Sequence, residues 1–453
     1  MTKLVALVLL VSATLAAQIP PPTSLPSKPF FIKKAWVIGG VGDWDYLTLD
    51  SQANRLYIAH GAEVQVVDVE TGNLAGAVKG LREAHSIALD GTGELGYVSD
   101  GAANDIKVFD RRTFEVQGKI PLDSSPRALV FEPQTGLLLA VSASPAGAPP
   151  PTADSKSLQR YASQQWQREQ RVLPSNPKDR EAAKNPCYFD SHSYASGLLP
   201  TWDSNLILID PAARRVTAEI KICGYAGFAA ADGDGRIYAA WVSGDEILRI
   251  DAEAILNVAK SAQQGRPPSE LVRLRGTLAG GTLYLDWRPI TRPGTSLSVG
   301  GFEGVTAMGL GASCHTPRAL AVDSRDSRIF VACNNLKMAV LNASRGDVVT
   351  TLPIGPDPDA VGYDPDRSLI FSANGGAQGS LTIIHRDVTD TYNVVQILPT
   401  RQQARTLAVN SSTGQVYLVT VIQVAQLRPP ISGIGTLELE PQDASFQVLV
   451  VGN

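Results

Sequence analysis

Tyr46-Leu-Thr-Leu-Asp50 is an apolar run closed by an acid, and versions of it recur to make seven in all. The others are Ser86-Ile-Ala-Leu-Asp90, Ala128-Leu-Val-Phe-Glu132, Phe228-Ala-Ala-Ala-Asp232, Ala319-Leu-Ala-Val-Asp323, Ala360-Val-Gly-Tyr-Asp364 and Thr406-Leu-Ala-Val-Asn410. The last carries an amide in place of the acid. Most copies are followed by a polar turn and a second apolar run, as in Arg55-Leu-Tyr-Ile-Ala59, Arg236-Ile-Tyr-Ala-Ala240 and Arg328-Ile-Phe-Val-Ala332. Self-similarity at about 40 residues, with several strands per unit, is the signature of a propeller array. The expected fold is therefore all-β, a single seven-bladed β-propeller with four-stranded blades.

Each unit reads as strands a to d. Strand c ends in an aspartate, as in Val64-Gln-Val-Val-Asp68, Ile106-Lys-Val-Phe-Asp110, Leu206-Ile-Leu-Ile-Asp210 and Ile247-Leu-Arg-Ile-Asp251. An acid at that repeated place accepts backbone N–H bonds in the following turn, a structural task. The steps Asp50 to Asp90 and Asp323 to Asp364 are 40 and 41 residues. The two middle steps are about twice as long, which places insertions at about 142–202 in the b–c connection of blade 3 and 254–303 in the c–d connection of blade 4. These connections lie on opposite faces of a propeller. The seventh unit lacks a strand d, and Ile32-Lys-Lys-Ala-Trp-Val-Ile38 has strand character without a unit of its own. Pairing the two closes the ring and removes exposed edges. The propeller then spans residues 30–453.

Lys3, the apolar Leu4 to Leu15 and the small Ala16 and Ala17 read as a secretory leader, residues 1–17. A Pro-rich linker over 18–29 follows. The apolar run is shorter than the roughly 20 residues a membrane span needs, so no transmembrane anchor is expected. Net charge is −4, which gives no sign of nucleic-acid binding. The cysteines are Cys187, Cys223, Cys314 and Cys333, with no CxxC pair and no CxxCH haem motif. In an exported chain an even count suggests disulfides. Cys314 precedes one strand and Cys333 ends its hairpin partner, which favours Cys314–Cys333 and, by elimination, Cys187–Cys223. Free buried thiols are the alternative.

The stretches Gly42-Asp-Trp-Asp-Tyr-Leu-Thr-Leu-Asp50, Arg328-Ile-Phe-Val-Ala-Cys-Asn-Asn335, Leu381-Thr-Ile-Ile-His385, Ala404-Arg-Thr-Leu-Ala408 and Val448-Leu-Val-Val-Gly452 resemble the YVTN/YncE-type seven-bladed propellers of exported bacterial proteins. The resemblance covers the chain from Trp36 to Gly452 apart from the insertions. It implies fold and export, and a periplasmic or secreted location, but no assigned reaction. The family's Tyr-Val-Thr-Asn signature is degenerate here, with Tyr97-Val-Ser-Asp100 nearest to it.

Function should break the repeat. The position five before the strand-a acid lies at the mouth of the central channel. Around the ring it reads Asp45, His85, Arg127, Ala226, Arg318, Asp359 and Arg405, with a one-residue ambiguity in blade 4. Arginine suits bidentate capture of carboxylate or phosphate, so the ring is the candidate site for a small polar or anionic ligand. The same residues also suit structural Arg–Asp pairs between blades, for instance Arg318–Asp359–Arg405. His60, His85, His192, His315 and His385 form no HxH or HExxH pair, so neither metal nor cofactor is expected. His85 can still meet Asp45 or Glu83. In the first insertion Asp190-Ser-His192 is too local to make a triad, and Lys156 to Arg171 reads as a solvated basic face. The expected function is an exported, monomeric binding or scaffold module for a protein or small ligand. The alternative is a propeller-type hydrolase or lactonase using Asp45, His85 and Asp359.

Overall fold

A computed structural model describes residues 28–40, 42–143, 204–222, 225–263, 277–279, 282–286, 289–290, 297–300, 304–388, 391–428, 436–441 and 445–453. The leader, most of the linker, the first insertion with Asp190 and His192, and both Cys187 and Cys223 lie outside these residues.

The seven acid-terminated runs are the first strands of seven antiparallel sheets: Trp44–Asp50, Ala84–Leu89, Ser125–Glu132, Ala226–Ala231, Pro317–Asp323, Pro358–Asp364 and Leu407–Asn410. Each contacts the strand a of the next blade, and the seventh contacts the first. The chain is thus a seven-bladed propeller. Strands b and c are apolar on both sides because each blade is covered by a neighbour on either face. In Arg55–His60, Leu56 and Ile58 pack toward blade 7 while Tyr57 and Ala59 pack toward blade 2. Such strands read as continuous apolar runs, as in any sheet buried on two sides.

The repeated acids are structural. Asp50 accepts a bond from the Ala53 N–H at 3.1 Å, Glu132 from Thr135 at 2.7 Å and Asp364 from Arg367 at 3.2 Å. At the end of strand c, Asp68 accepts from the Glu70 and Thr71 N–H groups at 3.0 Å each, and these bonds, Thr71 first, hold its carboxyl below the usual range. Arginines then tie blade to blade on this face. Arg111 of blade 2 pairs with Asp50 of blade 1, and Arg386 of blade 6 reaches Asp323 of blade 5 at 2.7 Å.

Closure is made by the N-terminal strand. Phe31–Val37 runs antiparallel to Gln447–Gly452, from the pair Phe31 and Gly452 to the pair Val37 and Gln447. Trp36 stacks on Tyr417 with ring centroids 6.0 Å apart, and Phe30 packs edge-on to Phe371 of blade 6 at 5.7 Å. Cys314 and Cys333 form a disulfide with Cα atoms 5.5 Å apart. It joins the approach to strand a of blade 5 to the end of its strand b.

Two additions extend the four-stranded plan, the insertion expected in blade 4, with a hairpin of Thr277–Ala279 and Thr282–Asp286, and a further one in blade 7. The second insertion widens the outer rim of two blades. Its helix, Ala252–Gln263, buries Ala252, Ile255 and Ala259 against blades 3 and 4. Strand Thr282–Asp286 then runs parallel beside the outer strand of blade 3, Ala218 opposite Leu283, and Leu297–Gly300 extends blade 4. An unforeseen hairpin, Gln423–Arg428 with Thr436–Pro441, fills the b–c connection of blade 7.

Candidate functional site

Strand a cannot display a side chain into the channel by regular pairing alone, because alternate residues face the two neighbouring blades. Blades 1 to 6 escape this through β-bulges, while in blade 7 Arg405 lies ahead of strand Leu407–Asn410. In blade 3, Pro126 pairs with Ser142 and Ala128 with Val141, so Arg127 is extra. Blades 5 and 6 repeat this with Pro317-Arg318-Ala319 and Pro358-Asp359-Ala360. In blade 1 the pairs Trp44 with His60 and Leu47 with Ile58 leave Asp45 and Tyr46 against the single Ala59. Blades 2 and 4 bulge at His85-Ser86 and Gly227-Phe228. A bulge re-aims the extra side chain, and proline is tolerated beside one. The Ser99 hydroxyl of blade 2 fixes the Arg127 bulge by donating to its carbonyl at 2.7 Å.

These side chains line one cavity of about 340 Å³, bounded by Asp45, Tyr46, Arg127, Tyr225, Arg318, Asp357, Asp359 and Arg405 with the small Ala226 and Gly227. The mouth ring is therefore brought together, except that His85 stands behind the wall. Tyr46, Tyr225 and Asp357 are members that the sequence reading missed. Tyr46 looked like an ordinary strand residue, and Tyr225 fell within the register ambiguity of blade 4. The Pro-Arg/Asp-Ala triplets are a signal that would have found the bulges. Below the cavity, Tyr46 of blade 1 meets Phe228 of blade 4 edge-on at 5.2 Å. Beneath them lies a second cavity of about 560 Å³, walled by residues such as Leu47, Ile87, Leu129 and Ala230.

Asp359 is the hub of the charged side. Arg318 Nη2 lies 3.3 Å from its Oδ1 and Arg405 Nε 3.1 Å from its Oδ2. This is the Arg318–Asp359–Arg405 arrangement considered from sequence. Burial nonetheless pushes the Asp359 carboxyl above its usual value, outweighing both guanidinium groups. For Arg318 burial acts downward, and Asp359 with the two tyrosines more than restores it. Arg405 is further held by Gln403 Oε1 at 2.7 Å and lies over the Trp44 ring at 5.5 Å. Gly375 leaves it room, since a Cβ there would stand 2.7 Å from the Arg405 Cβ. Truncating the hub would leave two guanidinium groups facing each other. Breaking a buried pair costs about 3 to 5 kcal/mol, but these arginines keep side-chain exposures of 33% and 30%. Asp359→Ala is expected to lose about 2 to 3 kcal/mol of stability. Urea denaturation checks this, and an unchanged midpoint would show that the hub contributes nothing.

His85 is locked between acids. Its Nδ1 is 2.8 Å from Asp45 Oδ2, and its Nε2 is 3.6 Å from Glu83 Oε1. Gly101 makes the space, because a Cβ there would lie 2.6 Å from Nε2. Asp100 sets the Glu83 backbone by accepting the Arg82 and Glu83 N–H groups at 3.0 Å each. Burial pulls the imidazole pKa down, yet the hydrogen bond to Asp45 and the nearby Glu83 carboxylate outweigh it and raise it above the ordinary 6.5. The protonated ring therefore stabilises the fold fully below about 6.5, and that gain fades as pH rises through the higher folded value. The melting-temperature gap between the parent and His85→Gln should shrink from pH 6 to pH 8. A gap independent of pH would contradict this assignment.

Burial raises the Tyr46 phenol well above its usual pKa, with Asp45 and Asp359 adding to the effect. Burial also raises Tyr225, against the pull of Arg127 and Arg318. Both phenols are neutral hydrogen-bond donors at physiological pH. Arg127 makes no ion pair within 4.0 Å among the described residues. The two ring nitrogens of His85 face opposite carboxylates, so Asp45, His85 and Glu83 cannot close on one cation. No cluster of three or more metal-ligating side chains is found among the described residues.

No family model matches the chain, and no curated protein matches it. Among solved structures it is similar to a chain of one titled "Crystal Structure of Mitotic Checkpoint Complex". The identity is 11% and the TM-score 0.53, over 92% of this chain and 95% of that one. At that identity the likeness supports the fold alone.

Proposed function

We propose that this chain is an exported binding propeller of the YVTN/YncE type, holding a small polar or anionic ligand at the channel mouth. The observation that carries the reading is Arg127. Its guanidinium lines a cavity of about 340 Å³ beside Arg318, and no carboxylate of the described residues pairs with it. Convergent polar groups in a concave site are the ordinary form of a ligand pocket. Arg318 and Arg405 are partly structural, since Asp359 engages both, which leaves Arg127 as the free anchor. The Cys314–Cys333 disulfide supports an oxidising compartment, periplasmic or extracellular. No helix among the described residues is long and apolar enough to cross a membrane.

The hydrolase reading has less behind it. His85 has a carboxylate at each ring nitrogen and does not line the cavity, so it is poorly placed to take a proton from a substrate. The test is thermal unfolding with inorganic phosphate, small carboxylates or α-amino acids. A ligand at 100 times its dissociation constant adds about 2.7 kcal/mol. Arg127→Gln is expected to abolish the shift given by any binder. A binder whose shift survives that substitution would place the site elsewhere.

A further inference from the structure

The charges of the mouth cavity are sorted by side. Blades 3, 4 and 5 supply Arg127, the Tyr225 phenol, the small Ala226 and Gly227, and Arg318. Blades 6 and 1 supply Asp357, Asp359 and Asp45. Blade 7 lies between the two acidic blades, but its Arg405 is turned to Asp359, Gln403 and the Trp44 ring. Asp359 is used by its two arginines. Asp45 gives one oxygen, Oδ2, to His85. Asp357 stands at the rim, exposed, with no ion pair among the described residues. The cavity therefore keeps an unpaired cation, Arg127, on one side and an unpaired carboxylate, Asp357, with the remaining oxygen of Asp45, on the other.

A simple anion drawn to Arg127 would sit in the field of Asp357 and Asp45, and like charges at close range in a partly desolvated site are costly. A simple amine would satisfy the acids and leave Arg127 without a partner. A ligand carrying both signs satisfies both walls. The space fits a small molecule, since about 340 Å³ is at the low end of the roughly 300 to 1,000 Å³ of small-ligand sites. The Tyr46 phenol offers a neutral donor, and the rings of Tyr46 and Tyr225 offer surface between the walls.

We propose that the mouth cavity takes a small zwitterion of the free α-amino-acid class, with its carboxylate on Arg127 and its ammonium toward Asp357 and Asp45. This rests on the ligand-binding reading above and specifies the chemistry of the same site. The probes are the proteinogenic amino acids, one at a time by titration calorimetry. Each binder is compared with its deaminated carboxylic acid, its decarboxylated amine and inorganic phosphate. The expected result is that an amino acid binds and that each half-molecule binds at least tenfold more weakly. Arg127→Gln and Asp357→Asn should each weaken the amino acid at least tenfold. Asp357 is exposed and makes no ion pair among the described residues, so its variant perturbs folding least and tests charge recognition. If the deaminated acid or phosphate binds as tightly as the amino acid, and Asp357→Asn strengthens it, the zwitterion is overturned while the anion reading stands. If no amino acid, acid, amine or phosphate binds, both are overturned.

Discussion

A chain begun at Ile38, without Phe31–Val37, is expected to lose its cooperative thermal transition. The strand supplies six register pairs to Gln447–Gly452. Each ladder hydrogen bond is worth about 1 kcal/mol net. The packing of Phe30 and Trp36 goes with it, and a large aromatic lost from a core costs about 3 to 5 kcal/mol. Together these approach the roughly 5 to 15 kcal/mol that is the whole stability of an ordinary domain. The deletion also turns the fully buried strand Gln447–Gly452 into a bare apolar edge, a template for aggregation. Thermal scans and size-exclusion chromatography of chains beginning at residues 28 and 38 make the comparison. A monomer with an unchanged transition would mean that the packing of blade 7 on blade 1 holds the ring shut without the N-terminal strand.

Loss of the Cys314–Cys333 bond is the second large effect. The crosslink closes a loop with a sequence separation of 19. Constraining a loop of about that length in the unfolded chain is worth about 3 kcal/mol. Both cysteines are fully buried, so reductant reaches them only after unfolding. Protein unfolded and refolded with reductant should show a lower denaturation midpoint. The Cys314→Ala/Cys333→Ala variant should show a similar loss and no response to reductant. A midpoint that reductant leaves unmoved would refute the staple.

The propeller was legible because its turns are chemical. A side-chain oxygen that must accept N–H groups at the end of strand a, as those of Asp50, Glu132, Asp364 and Asn410 do, leaves an acid in six blades and an amide in the seventh. The insertion in blade 4 was legible as extra length between strands c and d, but not the surface on which its added strands pack. Nothing in Thr282–Asp286 announces a parallel pairing with Ala218–Lys221, since edge pairing is decided by which outer strand is left open. The hairpin of Gln423–Arg428 went unseen because the last blade ends at the chain terminus, and no following acid measures its length. At the site, one position per blade found Asp45, Arg127, Arg318, Asp359 and Arg405. It passed over Tyr46 because a two-residue bulge turns a pair of neighbours out of register together, and a count at fixed spacing selects only one of them.

The edge-on contact of Tyr46 with Phe228 gives the axis of the molecule a direction. The two rings come from blades on opposite sides and act as a partition between a charged cup and a greasy one. A solute in the charged cup meets aromatic rings on its way toward the apolar one, so the two ends of the axis present different chemistry.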